Sequence, residues 1–265
     1  MGCLDGQTAL ITGASMGIGE AIALALAKEG ANLILISRSE DKLLEAQARI
    51  KEQASSVRTL IQAVNIQDAA AVDKAVEVAV AKFGQIDILV NNAGLALGAP
   101  ARFWELPIAT IDQMNGTNVA GVMYTTHSVL NRTMWPRKTG TILNAVYHAN
   151  KASLEAFSNS LRMETAGSDI RVLVLRPGCV ATHFHLQRVE YDKDAMDEFF
   201  YGYEPLVPED LAEAVIFMVG RVGRTSIKAL DCVPTAQRGL RGLIGSGMRG
   251  VQGSRITKTT KVKEK

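Results

Sequence analysis

Two residues that could share a proton stand four apart, Tyr147 and Lys151, in the run Tyr147-His148-Ala149-Asn150-Lys151. On a helix that spacing puts both side chains on one face. A phenol ionises near pH 10, too high for a base at neutrality, and a neighbouring ammonium lowers that value by stabilising the phenolate. The pair is therefore a candidate general acid/base, able to exchange a proton with a substrate hydroxyl. A second group of residues indicates what is held beside it. Thr12-Gly13-Ala14-Ser15-Met16-Gly17-Ile18-Gly19 follows an apolar run and leads into an Ala/Leu-rich helical stretch. Glycines in such a turn let the backbone approach a pyrophosphate, and the helix mouth offers free N–H groups and a positive dipole end. Gly13, Ser15, Gly17, Ile18 and Gly19 are the expected contacts.

The end of the second strand discriminates between dinucleotides. An NAD site places Asp or Glu there to bind the ribose 2′-OH. This chain has Ile36-Ser37-Arg38-Ser39, with no acid before Glu40. A guanidinium among serine hydroxyls suits a 2′-phosphate. Ser37 and Arg38 thus predict NADP.

These groups need a scaffold, and the pattern of the chain supplies one. Apolar runs alternate with helical periods from residue 8 to about residue 233. Strands are predicted at Thr8–Gly13, Asn32–Ser37, Val57–Val64, Ile86–Val90, Thr141–Ala145, Ile170–Arg176 and Ser226–Val233. Helices are predicted at Ile18–Glu29, Glu40–Gln53 after Ser39, and from Asp68 to Gly84 with Val72, Val76 and Val80 on one face. Others follow from about Ile108 to Met134, from about Tyr147 to Thr165, and from Pro208. Alternating strands and helices imply βαβ crossovers and a parallel sheet covered on both faces. The expected fold is α/β: a single-domain, doubly wound Rossmann fold with about seven strands, over residues 1–239. From about Leu240 the chain is rich in Gly, Ser, Arg and Lys without periodicity, and residues 240–265 are read as a basic, disordered tail.

Composition narrows the class. The chain has 265 residues, 47% of them hydrophobic and 21% charged, with a net charge of +2, as expected of a globular protein with a real core. That balance gives no reason to expect nucleic acid or acidic membranes as partners. Cys3, Cys179 and Cys232 are far apart and lack CxxC spacing, so no disulfide framework or zinc site is expected. His183 and His185 lack a third ligand, and no metal is expected. No apolar run is long enough for a bilayer, no secretory signal is apparent, and the expected location is cytoplasmic.

Five motifs in order give the chain a family resemblance. Thr12–Gly19 matches TGxxxGxG, Asn91-Asn92-Ala93-Gly94 matches NNAG, and Asn118 lies where a helix-borne asparagine is expected. Tyr147–Lys151 matches YxxxK, and Pro177-Gly178-Cys179-Val180-Ala181-Thr182 matches PGxVxT. Together they resemble the short-chain dehydrogenase/reductase family. The resemblance implies hydride transfer between a nicotinamide and a small hydroxy or carbonyl compound, with Tyr147, Lys151 and Asn118 catalytic. It implies that Lys151 also binds the nicotinamide ribose and that Asn118 supports a water relay. It adds Asn65, Asn92, Gly94, Tyr147, Lys151, Pro177, Gly178, Val180 and Thr182 to the cofactor contacts, and a homo-oligomer, dimer or tetramer. Residues from His183 to Tyr203, rich in aromatics, correspond to a lid over the substrate. Leu230–Gln237 resembles the subgroup that oxidises 3-hydroxy acids such as serine, for which Arg188 could pair with the substrate carboxylate.

One element of the pattern is absent. The family's catalytic serine belongs on the loop after the fifth strand, about a dozen residues before the tyrosine. Here Thr141-Ile142-Leu143-Asn144 runs through Ala145-Val146 straight into Tyr147. Loss of that hydroxyl removes a donor worth on the order of 10²–10³ in rate. Ser153 lies beyond Lys151 and is poorly placed to replace it, and Asn144 offers an amide at most. Two readings follow: an NADP-dependent oxidoreductase with an atypical site, or a non-catalytic NADP-binding protein. A third, a scaffold acting through its basic tail, has less behind it.

Overall fold

Nearly every residue of the first two strands is buried, because each strand lies in the middle of a sheet with helices on both sides. The computed structural model describes residues 2–98, 103–145, 151–188, 191, 200 and 204–237, with Phe103, Lys151, His185, Leu186 and Arg188 described by their backbone alone. The strands are β1 (Thr8–Thr12), β2 (Asn32–Ser37), β3 (Thr59–Ala63), β4 (Ile88–Asn91), β5 (Thr139–Ala145), β6 (Asp169–Pro177) and β7 (Ala229–Cys232). They pair in parallel in the order β3-β2-β1-β4-β5-β6-β7. The order reverses between β1 and β4, and ligands of such sheets bind outside the strand ends at that point.

Alternate residues of each strand face opposite layers. Ala9, Ile11, Leu33, Leu35, Leu143 and Leu173 pack against α1 (Gly17–Lys28), α2 (Glu40–Gln53) and the later helix Pro208–Val219. Leu10, Ile34, Ile36, Leu89, Ile142 and Val172 face α3 (Ala69–Phe83) and residues such as Val129 and Leu161. Asp68 caps α3 as its sequence requires, its carboxylate accepting from the Ala70 and Ala71 amides at 3.0 Å each. Ser39 stands at the N-cap of α2 but makes no side-chain cap bond, so its hydroxyl is not spent there.

The helix expected from Ile108 to Met134 is not uniform. It comprises α4 (Ile108–Asn115), a π turn (Gly116–Ala120), α5 (Gly121–Val129), a second π turn (Leu130–Met134) and α6 (Trp135–Arg137). Each π turn inserts a residue that a 3.6-residue period does not reveal, and such turns gather at functional sites. The first is braced by Gln67, whose amide donates to the Gln113 carbonyl at 3.1 Å and to Thr117 Oγ1 at 2.7 Å. The second is tied to α3 by Arg132, which grips Asp73 through two nitrogens at 2.8 and 2.6 Å. That guanidinium, helped by the Ser128 hydroxyl, holds the Asp73 carboxyl well below the usual carboxylate range.

Two strands, β3 and β7, are markedly shorter than expected. Val57 is buried but precedes β3, its amide closing a turn onto the Ala54 carbonyl. β7 omits residues 226–228, which follow a turn closed by Thr225 onto Val222. Beyond β5, the described chain resumes at α7 (Lys151–Glu164), and continues with α8 (His183–Arg188) and α9 (Pro208–Val219). Among the described residues no helix is long and apolar enough to cross a membrane. The tail read at 240–265 lies outside the described residues.

Candidate active site

A cavity of about 330 Å³ opens at the carboxyl ends of the strands, over the β1/β4 reversal. Each central strand delivers residues to its wall. Gly13, Ser15, Gly17, Ile18 and Gly19 arrive from β1, Ser37 and Arg38 from β2, and Asn65 from β3. Asn92 and Gly94 follow β4, and Pro177, Val180 and Thr182 follow β6. Gly178 does not line this cavity. A Cβ there would stand 2.5 Å from Gln237 Oε1 and 2.8 Å from Pro234 Cδ, so its place is packing against the turn after β7. Tyr147 lies outside the described residues, and Lys151 is described only as the first residue of α7.

The glycine turn has the shape a diphosphate needs. Gly13 sits at φ +68°, and a Cβ on it would meet Ala93 Cα at 2.9 Å. A Cβ on Gly19 would meet the Gly13 carbonyl oxygen at 2.2 Å and Asn92 Nδ2 at 2.5 Å. Asn92 is fixed in turn, donating to the carbonyls of Thr12 at 3.1 Å and Gly13 at 3.3 Å. Met16 at the N-cap gives α1 no side-chain cap bond. The first-turn amides are left for an anion, as dinucleotide sites require.

At the β2 end the cavity meets two cations. Arg38 was expected; Lys42, in the first turn of α2, was not. Neither has an ion-pair partner among the described residues, whereas Arg49 on the same helix pairs with Glu20 at 2.5 Å. Lys42 shares that first turn with Glu40 and Asp41, so its position on the helix is no signal in the sequence, and only its place on the cavity wall sets it apart. The Ser37 hydroxyl donates to the Ser39 carbonyl and accepts from the Ser39 amide, shaping the strand end.

Asn118 lies in the first π turn and lines the cavity, 9% exposed. Its side-chain amide is committed: Nδ2 donates to the Leu95 carbonyl at 2.8 Å and Oδ1 accepts from the Leu95 amide at 2.7 Å. It therefore clamps the loop after β4, and anything it offers a water comes from its backbone.

The end of β5 shows which groups are unable to stand in for a serine. Asn144, fully buried, accepts from Asn91 Nδ2 at 2.9 Å and donates to Ser158 Oγ at 2.8 Å. Ser158, also fully buried, donates to the Leu154 carbonyl at 2.7 Å. Ser153 is exposed on α7. The next β5 residue, Ala145, reaches the cavity and brings only a methyl group. The Asn144–Ser158 bond also pins α7 to the sheet. Ser158→Ala leaves a buried amide hydrogen unsatisfied, and urea unfolding is expected to show a loss of about 1–3 kcal/mol.

Comparison with known proteins agrees with this geometry. Residues 7–192 match the short chain dehydrogenase family. The NADP-dependent 3-hydroxy acid dehydrogenase of Schizosaccharomyces pombe is 34% identical over 252 residues, covering 90% of this chain and 96% of the relative. Sulfoacetaldehyde reductase 2 of Chromohalobacter salexigens is 32% identical over 241 residues, covering 86% and 94%. A closed form of serine dehydrogenase complexed with NADP+ superposes with a TM-score of 0.80 at 29% identity, covering 88% of this chain and 97% of that one. The first alignment spans 252 positions, whereas 90% of 265 residues is about 239, so about 13 aligned positions lack a residue here. The chain belongs to the short-chain dehydrogenase family.

Proposed function

We propose that this protein is an NADP-dependent oxidoreductase acting on a small hydroxy or carbonyl compound that carries an acidic group. The observation that carries this reading is one cavity running from Arg38 and Lys42 at the end of β2, over the glycine turn, to Ala145 at the end of β5. With adjacent strands about 4.8 Å apart, those ends are roughly 14 Å from one another, a span suited to an extended dinucleotide. The first-turn amides of α1 would hold the diphosphate, with Arg38, Lys42, Ser37 and the free Ser39 hydroxyl around the 2′-phosphate. Asn65, Gly94, Pro177, Val180 and Thr182 complete the wall. The acidic substrate class is drawn from relatives named for 3-hydroxy acids, serine and sulfoacetaldehyde.

When bound, the cofactor supplies a nicotinamide that accepts or gives a hydride. Tyr147, two residues along the chain from Ala145, takes the proton of the substrate hydroxyl, or returns it to the carbonyl. Lys151, four residues on, keeps the phenolate accessible near neutrality. Asn118 supports both by holding Leu95 and the cavity wall. The same reading takes residues 1–239 as one dinucleotide-binding domain.

A second reading, an NADP-binding protein without turnover, is favoured by the shortfall of about 13 aligned positions and the methyl group at the end of β5. A panel of small hydroxy acids, assayed with NADP+ and NAD+, separates the two. Turnover with NADP+ supports the enzyme; cofactor binding without turnover supports the second reading. Arg38→Leu is expected to weaken NADPH binding by about 10- to 100-fold, the value of a lost charge-assisted contact. NADH affinity should hardly change.

A further inference from the structure

The described residues of the glycine turn that line the cavity are all neutral. Ser15 and Met16 carry no charge, and Arg38 and Lys42 stand at the β2 end. The segment after β6 crosses back over this turn. Thr182 Cγ2 lies 3.7 Å from the point a Cβ on Gly17 would occupy, at the first residue of α1. The next residue, His183, lines the same cavity and is exposed. It has no carboxylate partner among the described residues.

We propose that His183 is a ligand of the cofactor's diphosphate, facing it from the side opposite the α1 amides. The proposal rests on the dinucleotide reading above and assigns a further group to that site. Three features of His183 support it. Its reach is set by Thr182, which already stands over the helix mouth. Its ring centroid is 5.3 Å from that of Tyr191, tilted by 56°, so an aromatic neighbour braces the imidazole at the cavity wall. Tyr191 keeps that place at φ +69°, a left-handed conformation that bulky residues rarely adopt and that tends to persist where function over-determines it. The charge around the imidazole is also permissive. The ionisable groups on the described cavity wall are Arg38, Lys42, His183 and Tyr191, with no Asp or Glu among them. Glu20, in the first turn of α1, is engaged by Arg49.

Histidine changes charge between pH 5 and 8, so the contact is charge-assisted only at the acid end. By linkage, cofactor binding then takes up a proton, and affinity rises as pH falls. The test titrates NADPH by fluorescence at pH 6.0 and pH 8.5 with the wild type, His183→Gln and His183→Lys. The wild-type to His183→Gln affinity ratio cancels the titration of the 2′-phosphate itself. It is expected to be near one at pH 8.5 and about three- to fivefold at pH 6.0, as for a solvent-accessible ion pair. His183→Lys, charged at both values, should bind more tightly than His183→Gln at both. Cofactor-free melting temperatures equal to the wild type's confirm that the variants fold. A ratio that does not change with pH, or a lysine variant no tighter than the glutamine one, overturns the proposal while leaving the dinucleotide site standing. A wild type that binds no NADPH at either pH overturns the dinucleotide site, and the proposal with it.

Discussion

Gly19→Ala is expected to abolish NADPH binding, lowering affinity by more than about 100-fold, or about 2.7 kcal/mol. The added methyl meets groups that are unable to yield cheaply. One is the Gly13 backbone, with the carbonyl oxygen at 2.2 Å and its carbon at 2.8 Å. The other is Asn92 Nδ2 at 2.5 Å, held by two backbone carbonyls of the same turn. Relief requires the turn to open, which moves the α1 amides away from the diphosphate. Overpacking of this kind also costs about 1–3 kcal/mol of stability, so the melting temperature should fall alongside. An alanine variant that binds NADPH normally would show that the turn is not the phosphate cradle.

The second large effect concerns turnover. Inserting a serine-bearing loop of about a dozen residues between Ala145 and Val146 is expected to raise kcat by about 10²–10³, the worth of a pre-placed donor to a reacting oxygen. In the lengthened protein, Tyr147→Phe should then lower kcat by about 10²–10⁴. The argument rests on the end of β5. Asn144 and Ser158 are bonded to one another and fully buried, so neither can turn towards a substrate. Ser153 is exposed on α7, and Ala145 offers no hydrogen-bonding side chain. Lengthening a connection by this much costs little in loop-closure entropy, so the lengthened protein should fold. An insertion that leaves kcat unchanged, with NADPH affinity intact, would show that the missing donor is not what limits the chemistry.

Much of this architecture is legible in the amino-acid order because the sheet is buried on both faces. β1 and β2 appear as continuous apolar runs, and the glycine turn falls between a strand and a helix where backbone must approach a ligand. Arg38 is visible because it stands where an NAD site would place an acid. Other features depend on neighbours distant in the chain. Gly178 is part of the PGxVxT run, but its packing against Gln237 depends on where β7 ends. Asn118 reads as a polar group facing the site, yet its amide is spent on the backbone of Leu95. The π turns escape a helical period because one inserted residue barely disturbs the apolar pattern. β3 and β7, the sheet edges, are shorter than their apolar runs because a ladder extends only as far as its single neighbour. Lys42 is not marked in the sequence, because Glu40 and Asp41 open the same helix and offset its charge, and only the fold puts it on the cavity wall.

The central claim is that the chain grips a dinucleotide and prefers the one with a 2′-phosphate. Isothermal calorimetry of the unmodified protein with NADPH, then NADH, tests it without requiring turnover. The expected result is one site per chain, filled at least about tenfold more tightly by NADPH, the margin of a single charge-assisted contact. Equal affinity for the two would contradict the role given to Arg38 and Lys42, and no heat from either at millimolar concentrations would contradict the site as a whole.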